Sequence, residues 1–184
     1  LISLREAITA ANAGAGTDYI YFDITAALAG GVHTITLAYD GADAGTTPDA
    51  LPTITSPVVI NGWTEPDYTG NPVIELNGNN VSGGVRGLVL GAGSDGSTIR
   101  GLVIQYFGAS SLSQGINIGS SNNTIAGNYI GTNAAGTSSA NNYNGINIWA
   151  GTGNTIGGTS AADRNLISGN SNIGVVVVSD GQTV

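Results

Sequence analysis

The sequence predicts an all-β solenoid with a short helix over its first end, and three observations lead there. From Gly87 onward the chain repeats itself: Gly87-Leu88-Val89-Leu90, Gly115-Ile116-Asn117-Ile118, Gly145-Ile146-Asn147-Ile148 and Gly174-Val175-Val176-Val177 open successive segments spaced 28, 30 and 29 residues apart. Two further aliphatic positions recur within each segment, one as Thr98-Ile99, Thr124-Ile125, Thr155-Ile156 and Thr183-Val184, the other as Ile104, Ile130 and Ile167. The implied unit is therefore three short strands. Composition agrees: 30 glycines in 184 residues and 9% charged residues are unlike a helical protein, while 41% hydrophobic residues in regular alternation are unlike a disordered one.

A single segment has too few aliphatic side chains to close a core and leaves its strand edges unpaired, so segments must stack. Strand side chains alternate, which sends Ile116 and Ile118 inward and Asn117 outward. Stacking then builds columns of Leu88, Ile116, Ile146 and Val175, of Leu90, Ile118, Ile148 and Val177, and of Ile99, Ile125, Ile156 and Val184. Each fully buried member contributes roughly 1.5–3 kcal/mol. Asn117 with Asn147, and Asn123 with Asn154, align between segments and suggest ladders of amide hydrogen bonds.

The chain reads as one domain in three parts: residues 1–14 form a helical cap, 15–86 irregular first coils, and 87–184 regular coils of about 29 residues, with the last expected to be incomplete. In the cap, Ser3 and Glu6 form a capping box while Leu4, Ala7, Ile8 and Ala11 share one face. Covering the apolar end of the first coil is the evident role of such a helix. Strand-like runs follow at Tyr19-Ile20-Tyr21-Phe22, His33-Thr34-Ile35-Thr36-Leu37, Val58-Val59-Ile60 and Val73-Ile74-Glu75-Leu76.

Ser3-Leu4-Arg5-Glu6-Ala7-Ile8 followed by Ala10-Ala11-Asn12 resembles the opening motif of a family of secreted bacterial parallel β-helix repeat proteins, many of them adhesin-like. Asn154-Thr155-Ile156-Gly157-Gly158 and Asn165-Leu166-Ile167-Ser168-Gly169-Asn170 are similar to that family's repeats. The resemblance implies a right-handed parallel β-helix exported to the cell surface or beyond. Ile2 stands where a cysteine often precedes the serine in that motif, so no thiol role carries over.

Charge and composition narrow the function. Four arginines, no lysine and twelve carboxylates give a net charge of −8, the wrong sign for a nucleic-acid partner. With no run of 18 apolar residues and no basic, apolar leader, a membrane span and a retained signal peptide are not expected. Cysteine is absent, so rigidity has to come from stacking rather than disulfides. A polysaccharide lyase or hydrolase needs convergent carboxylates, but Asp95, Asp163 and Asp180 fall 8, 18 and 6 residues after their segment openings, at different corners. Arg86, Arg100 and Arg164 form no basic column, and His33 has no triad spacing around it.

No catalytic, cofactor-binding or metal-ligating residue is assigned. Asp40, Asp43 and Asp49 lie in a glycine-containing stretch that matches no established calcium loop and reads as a solvated turn. Trp63 with Tyr68, and Trp149 after a core strand, are candidate carbohydrate contacts, although strand-end aromatics usually pack over neighbouring turns. The expected function is a non-catalytic, extracellular structural protein that self-associates end to end into a filament or adhesin, or continues in a longer surface protein. The alternative is a carbohydrate-binding or polysaccharide-degrading β-helix.

Overall fold

The structure, a computed structural model, describes residues 2–38 and 51–184. The capping-box sequence folds as read: α1 (Leu4–Ala13) starts at Ser3, whose hydroxyl accepts from the Glu6 amide while the Glu6 carboxylate accepts from the Ser3 amide. The Ser3 amide, and secondly the Ser3 hydroxyl, both donating to the Glu6 carboxylate at 2.8 Å, hold that carboxyl below its usual range. In chain order the strands are β1 (Asp18–Tyr21), β2 (His33–Ala38), β3 (Val58–Asn61), β4 (Ile74–Asn80), β5 (Leu88–Leu90), β6 (Thr98–Arg100), β7 (Leu102–Gln105), β8 (Gln114–Ile118), β9 (Thr124–Ala126), β10 (Tyr129–Ile130), β11 (Asn144–Ile148), β12 (Thr155–Ile156), β13 (Leu166–Ile167) and β14 (Val175–Val177). A 3-10 turn at Gly62–Thr64 follows β3.

These strands pair in three sheets, ordered β1-β3-β6-β9-β12, β13-β10-β7-β4-β2 and β14-β11-β8-β5, and every strand pair is parallel. From β3 onward the chain visits the first, second and third sheets in rotation, so each strand pairs with its counterpart one segment away. An isolated parallel bridge from Ile54 to Leu90 supplies the earlier visit to the third sheet. Among the described residues no helix is long and apolar enough to cross a membrane.

Register follows the sequence repeat. Leu88, Ile116, Ile146 and Val175 pair in series, as do Leu90, Ile118, Ile148 and Val177. In the first sheet the series is Ile20, Ile60, Ile99, Ile125 and Ile156, and in the second Ile35, Leu76, Ile104, Ile130 and Ile167. Apart from Val177, these side chains meet in one hydrophobic core, which α1 joins through Leu4, Ile8 and Ala11. Two expected core positions differ: Val177 is in register but 47% exposed, and Val184 is 71% exposed, with the neighbouring Thr183 bridged to Thr155. No described strand lies beyond β14 to cover them.

The recurrent opening glycines have a steric cause. A Cβ on Gly87 would stand 2.5 Å from the Gly115 carbonyl oxygen, one on Gly115 2.8 Å from that of Gly145, and one on Gly145 2.5 Å from that of Gly174. Only glycine lets consecutive segments approach this closely at that corner. Gly78 and Gly87 also leave the space that the fully buried Phe107 ring occupies.

Truncating Ile118 to Ala should lower unfolding free energy by about 2–5 kcal/mol, because the side chain is fully enclosed. The same change at half-exposed Val177 should cost far less; chemical denaturation of the two variants measures the difference.

Candidate functional site

The corners between strands are built on buried asparagines. At one, the Asn128 side-chain oxygen accepts from the Leu102 amide at 3.0 Å and its NH2 donates to the Ile99 carbonyl at 2.9 Å; one segment on, Asn165 does the same for the Asn128 amide and the Ile125 carbonyl. At a second, Asn142 bonds the Phe107 amide and the Ile104 carbonyl, and Asn170 takes up the Asn142 amide group and the Ile130 carbonyl. At a third, Asn123 serves the Ser97 amide, Asn154 the Asn123 amide, and Gln182 the Asn154 amide. A primary amide suits the place because it offers an acceptor and two donors to groups that the strand ladders leave unpaired.

The sequence pointed to Asn123 with Asn154 in the third column, though not to Gln182, and to the Asn117–Asn147 pair; both pairs bond at 2.8 Å. Sequence reasoning missed Asn128–Asn165, whose separation of 37 residues departs from the repeat, and Asn142–Asn170, whose separation of 28 residues matches it and was the signal that could have found them. Asn117, expected to face outward, is nevertheless largely shielded from solvent, since Val89 and Asn147 flank it in register. Asn12 of the opening motif acts in the same way at the helix end: its NH2 donates to the Thr53 carbonyl at 2.7 Å and its oxygen accepts from the Thr55 amide at 2.8 Å. It thereby closes the open edge around Ile54.

The connection from Gly62 to Val73 carries the richest chemistry. Trp63 lies flat on Gly101 and Gly127, where any Cβ would strike its ring, and the Arg100 guanidinium sits 4.6 Å from the ring centroid. The Trp63 and Tyr68 rings stand 6.2 Å apart. Tyr68 then lines a lateral cleft of about 430 Å³ with Asn71, Tyr129, Arg164 and Leu166, and the Tyr129 hydroxyl donates to Asn71 at 2.9 Å. Burial, and secondly the neighbouring Tyr129, push the Tyr68 phenol above its ordinary value. Trp149 is elsewhere: it packs over Gly119 after β11, 54% exposed, and does not line this cleft.

Glu65 and Asp67, on the same connection, meet His33 at the start of β2. His33 Nε2 is 3.2 Å from Asp67 Oδ2 and 3.6 Å from Glu65 Oε1. Glu65 is only 2% exposed; its Oε2 accepts from the Ile24 amide at 3.1 Å, while its Oε1 is buried without a hydrogen-bond partner. The three ligand-bearing atoms lie within 4.8 Å of one another. Sequence reasoning saw His33 as a strand residue and did not bring it to the carboxylates. The signal was the Glu65-Pro66-Asp67 turn, but matching it to a histidine 32 residues earlier requires the strand register.

Two acids of the regular segments, Asp95 and Asp163, serve turns. Asp95 accepts from the Ser121 amide at 2.5 Å, and Asp163 accepts from the Ser160 amide at 3.0 Å. The Ser160 side-chain bond, ahead of the Ser160 backbone bond, holds the Asp163 carboxyl below its usual range. Asp40, Asp43 and Asp49 lie outside the described residues. No family model, curated protein or solved structure matches this chain.

Replacing Asn142 with Leu should remove about 1–3 kcal/mol for each main-chain group left unpaired, at Phe107 and Ile104. Amide hydrogen exchange at Phe107 should accelerate in the variant; unchanged protection would show that the corner does not depend on the side chain.

Proposed function

We propose that the chain is a right-handed parallel β-helix serving, without catalysis, as an exported structural unit of a bacterial extracellular filament or surface adhesin. One observation carries the reading: aliphatic series in all three sheets and amide columns at three corners run in register from segment to segment. Such continuity makes a stiff rod. The resemblance of the Ser3–Ile8 motif to secreted β-helix proteins supports export, and the use of Asp95 and Asp163 in turns supports the non-catalytic part.

Assembly in this reading is end to end. A parallel strand set is paired by repeating one register, so a second copy placed along the axis continues the same ladders, and the interface is heterologous and open. Electron microscopy of the native protein over a range of concentrations should show rods or filaments of constant width that lengthen with concentration. Monodisperse short particles at every concentration would overturn the assembly.

A second reading has its own observation. The Trp63–Tyr68 pair and the adjoining cleft with Tyr129 and Arg164 offer apolar ring faces beside polar groups, the combination that holds a sugar ring. On this reading Tyr68→Ala lowers binding to an array of surface polysaccharides at least tenfold while Trp149→Ala leaves it unchanged. Equal signals from both variants and the parent would remove the cleft as a glycan site.

A further inference from the structure

We infer that His33, Glu65 and Asp67 form a binding site for a divalent transition-metal cation of the zinc class. The argument begins with a charge imbalance. Glu65 is almost fully buried, and one of its oxygens is satisfied by the Ile24 amide while the other has no hydrogen-bond partner. A buried carboxylate oxygen in that state is costly unless something positive faces it. What faces it is His33 Nε2, at 3.6 Å, an atom that also lies 3.2 Å from Asp67 Oδ2. A neutral imidazole presenting its lone pair there would oppose two carboxylates, and a single Nε2 proton reaches only one of them well.

A cation between the three atoms resolves both faults. Bonds of about 2.0–2.2 Å in a tetrahedral arrangement put ligand atoms about 3.3–3.6 Å apart. The two separations from His33 Nε2 have this size, and the third lies within the 4.8 Å span of the group. One imidazole nitrogen with two carboxylate oxygens suits zinc or a neighbouring first-row ion; calcium and magnesium prefer all-oxygen shells with more ligands. Glu65 and His33 are enclosed, whereas the Asp67 side chain is 46% exposed, so the fourth position opens toward solvent on that side.

The ligand carriers are held in place before any ion arrives. The Tyr68 amide donates to the Glu65 carbonyl at 2.9 Å, the Glu65 amide to the Gly62 carbonyl at 3.3 Å, and the Thr64 hydroxyl accepts from the Phe22 amide at 2.8 Å. On the other side His33 is fixed in β2, its amide donating to the Val73 carbonyl at 2.8 Å. The metal thus ties β2 to the connection after β3, across more than thirty residues, in the irregular part of the chain where the amide columns are absent among the described residues.

The test uses the full chain, stripped with a chelator and titrated with zinc chloride or cobalt chloride. Calorimetry should find one zinc per chain, the melting temperature should rise with zinc, and cobalt should give the strong visible absorption of a four-coordinate N/O site. Asp67→Asn, at the exposed position, should fold normally and weaken zinc binding at least tenfold; His33→Gln should do the same and abolish the cobalt spectrum. Less than one tenth of an equivalent bound, or equal affinity in the parent and Asp67→Asn, would overturn the site and leave a buried ion pair in its place. Neither result bears on filament formation or on glycan binding at Tyr68.

Discussion

Everything in this protein rests on how main-chain donors and acceptors are paired where the chain turns. Strand ladders satisfy the straight stretches, but a chain that turns every few residues leaves buried N–H and C=O groups at each corner. Here the amide side chain of one segment is inserted into the corner of the segment before it, accepting from an amide and donating to a carbonyl. Asn128, Asn165, Asn142 and Asn170 each do this, and Asn12 does it for the edge beside the helix. The aliphatic columns provide the larger free energy, yet they are indifferent to register beyond alternation; the corner amides are specific to it.

The parts of the fold legible in the sequence are those governed by local, repeated chemistry. Gly87, Gly115, Gly145 and Gly174 announce themselves by spacing, and for the first three the reason is the carbonyl of the next segment against which each is pressed. The Leu88 and Leu90 series follow from alternation, and α1 from its capping box. Asn128–Asn165 stayed hidden because its separation of 37 residues overshoots the repeat, and spacing alone cannot align the pair. The limit is sharper for His33, Glu65 and Asp67. A histidine opening a strand and two acids flanking a proline carry no mutual signal, and only the pairing of β2 with β4 and of β1 with β3 brings their connections together.

The connection from Gly62 to Val73 concentrates what the rest of the surface lacks. Its first residue is glycine because the Gly101 carbonyl leaves no room for a side chain, and its second is the tryptophan that covers the neighbouring corners. From there the chain presents acids toward β2 and Tyr68 toward β10. One rigid excursion therefore supplies both a charged cluster and an aromatic wall, while the regular segments around it spend their polar residues on one another.

The corner amides also have a direction. In all three columns the side-chain oxygen of the later residue receives a hydrogen from the earlier segment, a main-chain one in every step except Asn142 to Asn170, as Asn123 receives from Ser97, Asn154 from Asn123, and Gln182 from Asn154. The columns are vectors, with main-chain amides and carbonyls waiting at one face and the side-chain amides that serve them projecting from the other. A stack built this way is polar: its two ends are chemically unlike, and mating like with like would leave corner main-chain groups without the side-chain amides that pair them. Any object made by extending it inherits a single sense of growth.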